Sequence, residues 1–253
     1  MTGRTFWGAW LIAGGAFCAC SEGQGVTPKA RPDESDAGVL EPRAGDRPAG
    51  VATGRDAGPL RSDPDSGTEL DFTGLVLNEV DYDQVSVDYT EFVEIYNGAA
   101  TALPLDGFAV VFANATDEIN RVPLSGVLPK GGYAIVASPM VKVSADAGVV
   151  LRFDMPAASN AMPNTSPVAV GLLDTEQGLL FDSVSFGGAV TGVAVVGVTD
   201  PLDFVEGTGA SADSNALERS LGREPNGVDT DDNAADWSAS KTPTPGARNV
   251  LTP

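Results

Sequence analysis

The sequence predicts an all-β fold, a sandwich or a barrel, over residues 71–253. Apolar runs of five to eight residues recur there, separated by turn pairs such as Asn97-Gly98 and Asp106-Gly107. Several runs alternate with a period of two, so in FDSVSF (181–186) Asp182, Val184 and Phe186 share one face. No window shows a helical period over 12 residues. Many short strands with frequent turns are typical of a sandwich or barrel.

The N-terminus, residues 1–20, reads as a signal peptide. Arg4 gives a positive start, and residues 6–17 form an apolar run of 12. This run is too short to span a bilayer, which takes about 20 residues, but it has the length of a signal-peptide core. We therefore expect the protein to be exported.

The end of this segment, Phe17-Cys18-Ala19-Cys20-Ser21, resembles a bacterial lipobox. The resemblance implies that Cys20 is lipidated and anchors the protein to the membrane, although Phe17 departs from the usual Leu. Two or more acyl chains give stable attachment. The expected location is the cell envelope, at the outer membrane or cell surface. The alternative is ordinary cleavage after Ala19 or Gly23, which would release a secreted protein.

Residues 21–70 form the next segment, rich in Gly, Pro, Asp, Arg, Ser and Ala and without any aromatic residue. Such a composition buries too little apolar surface to offset the entropy of ordering. We predict a disordered linker, which as a coil would reach about 40 Å. The folded domain is then expected at 71–253.

The domain is predicted to contain eight strands. They are Leu75–Val80, Phe92–Tyr96, Phe108–Phe112, Tyr133–Ala137, Val149–Phe153, Val168–Leu173, Leu179–Phe186 and Val193–Val198.

Nine motifs follow one another along this domain. They are LVLNEVDYD (75–83), EFVEIYNGA (91–99), LPLDGFAVVF (103–112), LPKGGYAIVA (128–137), VAVGLLD (168–174), FDSVSFGG (181–188), SLGR (220–223), DTDDNAADW (229–237) and TPTPGARN (242–249). In this order they resemble a lamin-tail domain. The resemblance implies an immunoglobulin-like β-sandwich with Trp237 as a core anchor. The chain departs from the family at Phe108, where Trp is frequent, and in the long insert 190–214.

Composition and charge exclude several chemistries. The chain carries 35 acidic and 15 basic residues, a net charge of −20, and residues 71–253 alone have 25 acidic and 8 basic. Such a surface repels phosphate backbones, so nucleic-acid binding is not expected. There is no histidine, which removes Ser-His-Asp catalysis and His-ligated zinc. Both cysteines precede residue 21, so the domain has no disulfide and no thiolate nucleophile.

One acidic loop is a candidate metal site. Its oxygen-bearing side chains suit Ca²⁺, which takes six to eight oxygen ligands. The alternative is a capped turn, in which the same side chains bond local backbone amides. The candidate ligands are Asp229, Asp231, Asp232, Asn233 and Asp236.

A second acidic stretch precedes and follows the first hairpin turn. Its residues are Asn78, Glu79, Asp81, Asp83, Asp88 and Glu91. We interpret them as hairpin-end residues, with a share in the same cation site as the alternative. Glu79 and Glu94 could also be taken as the paired carboxylates of a hydrolase, a pairing that requires a cleft and one raised pKa. Arg219 and Arg223 are expected to make structural ion pairs.

Together these observations predict a non-catalytic, lipid-anchored binding or structural module of the cell surface, with no cofactor apart from Ca²⁺ at the acidic loop. Its partners would be the membrane, through the lipid, and an unidentified protein or polysaccharide. The alternative hypothesis is an exported metal-dependent hydrolase of phosphodiesterase or esterase type, acting through a carboxylate-bound divalent cation.

Overall fold

The computed structural model describes residues 61–62, 69–144, 150–214, 216–240 and 242–250. Its strands are β1 (Arg61–Ser62), β2 (Glu69–Leu70), β3 (Leu75–Asp81), β4 (Phe92–Asn97), β5 (Leu103–Pro104), β6 (Phe108–Ala113), β7 (Glu118–Pro123), β8 (Val127–Leu128), β9 (Tyr133–Ala137), β10 (Val150–Asp154), β11 (Val168–Asp174), β12 (Leu179–Phe186), β13 (Ser220–Arg223) and β14 (Trp237–Ser240). The one helix among these residues is α1 (Asn233–Asp236), so no helix there is long enough to cross a bilayer. The predicted all-β fold is confirmed.

Two sheets dominate the described part of the chain. The first has six strands in the order β10-β9-β4-β3-β13-β14, antiparallel except for the parallel pair β9–β10. The second has four antiparallel strands in the order β12-β11-β6-β7. Two short ladders, β1–β2 and β5–β8, complete the pairing.

The main hydrophobic core lies between the two sheets. Val93 and Ile95 of β4 face it from the six-stranded sheet, and Val110 of β6 and Val170 of β11 face it from the other. Their alternation with outward-facing neighbours gives the period of two seen in the sequence. Trp237 is 4% exposed and packs edge-on against Phe186 with the ring centroids 5.5 Å apart, so it anchors the core as the resemblance implies.

The outer face of the four-stranded sheet is covered by the insert. Val190, Val193, Leu202 and Phe204 are buried in a second cluster with residues of β6, β11 and β12. The insert is therefore an integral part of the fold.

The predicted strand Val193–Val198 is wrong. Val193 forms an isolated antiparallel bridge with Leu202, and Ala194 forms an isolated parallel bridge with Asp117, but no strand develops from either bridge. Val198 N–H then donates to the carbonyl of Val195 at 3.1 Å in a turn, and Gly192 and Gly197 adopt positive φ. Apolar side chains in this stretch reflect packing onto a sheet, which periodicity alone does not distinguish from a strand.

The other seven predicted strands agree with the structure to within one residue at each end in the described residues. The strands missed were short or polar, above all β7, whose sequence EINRVP has mostly half-buried side chains. Within the predicted linker, β1 and β2 pair as a short ladder. Its other residues up to 68, together with the signal peptide and Cys20, lie outside the described residues.

A bulge in β3 sets the positions of two polar residues. The pairing with β4 shifts between Leu77 and Glu79, leaving Asn78 as the extra residue. Leu77 and Val80 both face the core, so Asn78 and Glu79 fall between two core positions. Both belong to a polar network on the outer face of this sheet.

Candidate functional site

The acidic loop 229–236 lies beside β13, where Arg223 is fully buried. The guanidinium donates through Nη2 to Asp182 at 2.9 Å, and through Nη1 to Asp236 at 2.9 Å and to Asp229 at 3.0 Å. Its Nε donates to the carbonyl oxygen of Leu77 at 2.8 Å. One cation therefore pairs with carboxylates from two segments of the chain, β12 and the acidic loop.

Arg223 also stacks over the ring of Trp237, with 5.3 Å between the guanidinium carbon and the ring centroid. Burial lowers the pKa of this arginine, but the surrounding carboxylates, led by Asp182 and Asp229, raise it by more, so the net shift is upward. The side chain is thus held charged inside the protein, where desolvation is compensated by ion pairs and hydrogen bonds.

Three of the surrounding carboxylates could in principle hold a metal ion. Asp182, Glu206 and Asp229 each place an oxygen within 4.8 Å of the others, the only such set of three found among the described residues. The guanidinium of Arg223 approaches all three, at 2.9, 4.0 and 3.0 Å respectively. In this arrangement the arginine supplies the positive charge that a metal ion would supply.

The pKa values of this cluster follow from burial. The pKa of Glu206 is raised to about 9: burial raises it most, the charges of Asp182 and Asp229 raise it as well, and the charge of Arg223 lowers it. Burial also raises the pKa of Asp182 to about 6, although the charge of Arg223 lowers it. The cluster thus holds more carboxylates than one arginine can neutralise, and burial together with the like charges favours the protonated form of Glu206.

Two of the predicted metal ligands have structural partners, one within its own turn and the other in distant segments. Asp232 caps α1, and its Oδ1 accepts from the backbone N–H of Ala234 at 3.1 Å. The Oδ1 of Asn233 accepts from the N–H of Ser185 at 3.1 Å and from that of Glu206 at 3.2 Å. Its Nδ2 donates to the carbonyl of Ser183 at 2.9 Å. Asn233 therefore ties the insert to β12.

The five predicted ligands therefore do not all bond to one partner. Asp229 and Asp236 both accept from Arg223, whereas Asp232 accepts from a backbone N–H of α1 and Asn233 bonds to the backbone of β12. Asp231 adopts a φ of 57°, and its N–H donates to Asp229 at 3.2 Å. This geometry matches the capped-turn alternative, and the calcium site stays a prediction.

A second polar network holds the C-terminal segment 242–249 on the outer face of the six-stranded sheet. Glu79 accepts from Ser220 Oγ and from the N–H and Oγ1 of Thr244, at 2.9 and 2.8 Å for Thr244. Glu94 accepts from Asn78 Nδ2 and from the N–H of Gly246, both at 2.7 Å.

Asn249 completes this network from the end of the segment. Its Nδ2 donates to the carbonyls of Asn78 at 2.9 Å and Arg223 at 3.0 Å. Gly222 leaves the space for it, since a Cβ there would lie 2.6 Å from Nδ2 of Asn249. Residues from four of the nine sequence motifs, 75–83, 91–99, 220–223 and 242–249, thus bond to one another.

Glu79 and Glu94 lie opposite each other on β3 and β4, and both are fully buried. Burial raises the pKa of Glu79, and burial followed by the charge of Glu79 raises the pKa of Glu94 well above its ordinary value. The raised pKa that a paired-carboxylate hydrolase requires is present, but the cleft is not, because the C-terminal segment covers both side chains. A substrate has no access to them in this conformation.

The second acidic stretch braces the loop between β3 and β4. Asn164 Nδ2 donates to Asp83 at 3.0 Å and to Asp88 at 2.8 Å. Glu91 accepts from the N–H groups of Ala161 and Met162 at 2.8 and 3.0 Å. These contacts support the interpretation as hairpin-end residues, and they share no residue with the contacts of the 229–236 loop.

The two arginines make the ion pairs expected of them. Arg219 pairs with Asp213 at 3.2 Å, and the partners of both arginines include buried carboxylates. Asp182 and Glu206 were missed as members of the cluster. The signal for Asp182 was its position on the same face of FDSVSF as Val184 and Phe186, because a carboxylate facing the core requires a buried cation.

A surface depression of about 830 Å³ lies between the β11–β12 turn and the insert. Its lining includes Glu176, Asp200 and Asp203 but no aromatic residue and no Lys or Arg. Small-molecule sites are mostly lined by apolar and aromatic side chains, so this depression lacks the usual features of one.

A scan of protein-family models and a search of curated proteins gave no match to this chain.

Proposed function

We propose that this chain is a non-catalytic binding or structural module of the bacterial cell envelope. In this proposal an immunoglobulin-like sandwich of the lamin-tail type is carried on a lipid at Cys20. Residues 21–70 act as a spacer between the lipid and the folded domain, and the acidic domain binds its partners outside the membrane.

One observation carries the proposal: the polar residues that would be the first candidates for catalysis have structural partners. Arg223 is enclosed by carboxylates, and Glu79 and Glu94 lie under the C-terminal segment. These polar groups hold the two sheets and the C-terminal segment together, which in this proposal leaves the loops and the acidic surface for binding.

The hydrolase hypothesis has less support. A metal-dependent hydrolase needs carboxylates that converge on an ion and remain open to substrate and water. The three carboxylates that converge here do so on Arg223, and Asp182 and Glu206 are buried. Turnover of a phosphodiester or ester substrate in the presence of Ca²⁺ or Mg²⁺, lost in a Glu206→Gln variant, would favour the hydrolase over the module.

The anchor is tested by fractionating cells that express the full chain. We expect the protein in the membrane fraction, and we expect Cys20→Ser to release it or leave it with an uncleaved signal peptide. Cys18→Ser is the matched control, since it changes the neighbouring cysteine and should leave the protein in the membrane. The same fraction and the same processed mass for the wild-type chain and the Cys20→Ser variant would overturn the anchored module.

A further inference from the structure

The C-terminal segment lies on the six-stranded sheet through polar contacts. Apart from Pro245, none of its apolar side chains is buried. The N–H of Thr244 donates to Glu79 at 2.9 Å, and Oγ1 of Thr244 donates to the same carboxylate at 2.8 Å. The N–H of Gly246 donates to Glu94 at 2.7 Å. The segment forms no strand of either sheet, so it can leave the surface without breaking a ladder.

The two carboxylates beneath the segment face each other without a cation. Glu79 and Glu94 are directly opposite on β3 and β4, and both are fully buried. Neither makes an ion pair with a Lys or Arg in the part of the chain that the structure describes. The buried guanidinium of Arg223 bonds to other carboxylates. Like charges repel far more strongly inside a protein than in water, so ionising both side chains under the segment is strongly unfavourable.

The groups packed around the pair supply no buried positive charge. They are neutral, acidic or exposed, and they comprise Asn78 and Asp81 of β3, Tyr96 of β4, Tyr133 of β9, Ser220 of β13, Asn226 of the loop after β13, and Arg248 of the segment. Burial, followed by the charge of Glu94, raises the pKa of Tyr133 to about 12, so its hydroxyl stays neutral around pH 7. Arg248 is exposed, and solvent screens its charge.

One proton on the pair removes most of the repulsion, and Glu94 is the better site for it. Glu79 accepts from three donors, Ser220 Oγ and the N–H and Oγ1 of Thr244, and these bonds stabilise its charged form. Glu94 accepts from two donors. Burial, followed by the charge of Glu79, raises the pKa of Glu94 well above its ordinary value.

The direction of the pH dependence follows from this arrangement. When the segment leaves, water hydrates both carboxylates, and their pKa values return towards the ordinary range. A carboxyl whose pKa is raised in the docked state stabilises that state fully below its ordinary pKa. This stabilisation is lost as the pH rises through the raised pKa. Docking is therefore favoured at acidic pH and weakens as the pH rises.

We propose that the C-terminal segment is a proton-dependent strap, docked while Glu94 carries a proton and released when Glu79 and Glu94 are both ionised. Release uncovers an acidic strip on the outer face of the six-stranded sheet. This strip is centred on the pair and Asn78, all three of which are fully buried under the docked strap. The strap is a device of the fold itself, and it depends neither on a lipid at Cys20 nor on the identity of a partner.

Hydrogen exchange of the full chain, measured by mass spectrometry at pH 5, 6, 7 and 8, tests the strap. Exchange is corrected for the intrinsic rate at each pH, and protection factors are compared for peptides from 242–250 and from β4. The variants are Glu94→Gln, which cannot ionise, and Glu79→Gln, which removes the neighbouring charge. Asp81→Asn is the matched control, because Asp81 is also a buried carboxylate of β3 but accepts from Gln84, at 2.6 Å, rather than from the segment.

We expect the protection of the segment in the wild-type chain to fall about ten-fold or more between pH 5 and pH 8, since one linked proton changes the opening constant by up to about ten-fold per pH unit. Glu94→Gln should remove most of this fall. Glu79→Gln should make it smaller, because the charge of Glu79 contributes to the raised pKa of Glu94. Asp81→Asn should leave the fall nearly unchanged.

Constant protection of the segment in the wild-type chain would overturn the strap, as would a fall of wild-type size in both Gln variants. Protection equal to that of β4 at every pH would also contradict it, because the segment would then leave only on global unfolding. If Glu94→Gln does not fold, the result for Glu79→Gln decides between these outcomes.

Discussion

The carboxylate of Asp182 and the guanidinium of Arg223 bond at 2.9 Å between the two sheets, one residue from β12 and the other from β13. The second oxygen of Asp182 accepts from the backbone N–H of Leu77 in β3 at 2.6 Å. Because both side chains are almost fully buried, this contact joins the sheets through charge where most sandwiches use apolar packing alone. Arg223 is therefore the central residue of a buried polar cluster, which we call the polar core and which also contains Asp182, Glu206, Asp229 and Asp236.

Replacing Arg223 by Met should destabilise the domain strongly. The change removes the cation that the described residues place among Asp182, Glu206, Asp229 and Asp236, and it leaves buried carboxylates without compensation. Breaking a buried ion pair from one side costs about 3–5 kcal/mol. Urea unfolding followed by tryptophan fluorescence measures the change in free energy of unfolding.

The matched control is Arg219→Met, which removes an ion pair whose arginine is 24% exposed. It should cost clearly less than Arg223→Met. Similar losses for the two variants, or a loss below about 1 kcal/mol for Arg223→Met, would show that the cluster is not an essential part of the core.

Calcium should leave the melting temperature of the full chain almost unchanged. Four of the five predicted ligands already bond to Arg223, to backbone amides or to carbonyls, so they would have to give up those partners to bind an ion. A thermal melt in EGTA and then in millimolar Ca²⁺ measures this.

A real site would be easy to see in that melt. Saturation at 100 times Kd adds about 2.7 kcal/mol, and for a domain of this size each kcal/mol raises Tm by about 2–4 °C. A rise of several degrees that disappears in an Asp231→Ala, Asp232→Ala variant would establish the calcium site predicted from the sequence.

Stability should fall as the pH rises from about 4 to about 8. Burial raises the pKa of Asp81 to about 8, of Glu91 to about 7 and of Asp213 to about 6. A carboxyl whose pKa is raised by folding holds its proton more tightly in the folded state. Its stabilisation is complete below the unfolded pKa and is lost as the pH passes through the folded pKa.

Melting temperatures at pH 5, 6, 7 and 8 and constant ionic strength test this dependence. The Asp81→Asn variant should flatten the upper part of the curve, because it removes one of the groups that titrate there. A melting temperature that rises towards pH 8, or a curve identical in the variant, would contradict the assignment to these buried carboxyls.

The architecture was predictable because its signals are local. Strand runs such as Phe92–Tyr96 and Leu179–Phe186 alternate or are β-branched, and turn residues bound them, so one segment suffices to recognise each. The packing of the insert was not predictable in the same way. Its valines have the composition of a strand, yet they cover a sheet face that only the tertiary structure provides.

The polar core was partly predictable. The density of acidic residues near Asp229 was visible, but their partner Arg223 lies in another motif, and Asp182 and Glu206 come from two further segments. A single sequence does not show which charges meet after folding. Metal ligands and arginine ligands are the same carboxylates, so residue types alone left the two alternatives open.

The packing of the insert depends on Phe204 and Gly171, and this gives the last prediction. A Cβ on Gly171 would lie 2.7 Å from Cε1 of Phe204 and 2.6 Å from Cδ2 of Leu180, so the glycine in β11 leaves room for the ring. Phe204 is fully buried in the cluster that holds the insert on the four-stranded sheet.

Phe204→Ala should therefore cost about 3–5 kcal/mol in free energy of unfolding, through lost burial and the cavity left behind. Gly171→Val should destabilise through overcrowding at the same contact, by about 1–3 kcal/mol. Val196→Ala is the control: Val196 lies in the same insert but is 72% exposed, so its loss should stay within about 0.5 kcal/mol. Denaturant unfolding of the three variants measures these values. A Phe204→Ala loss no larger than that of Val196→Ala would mean that the packing of the insert on the four-stranded sheet does not contribute measurably to the free energy of unfolding.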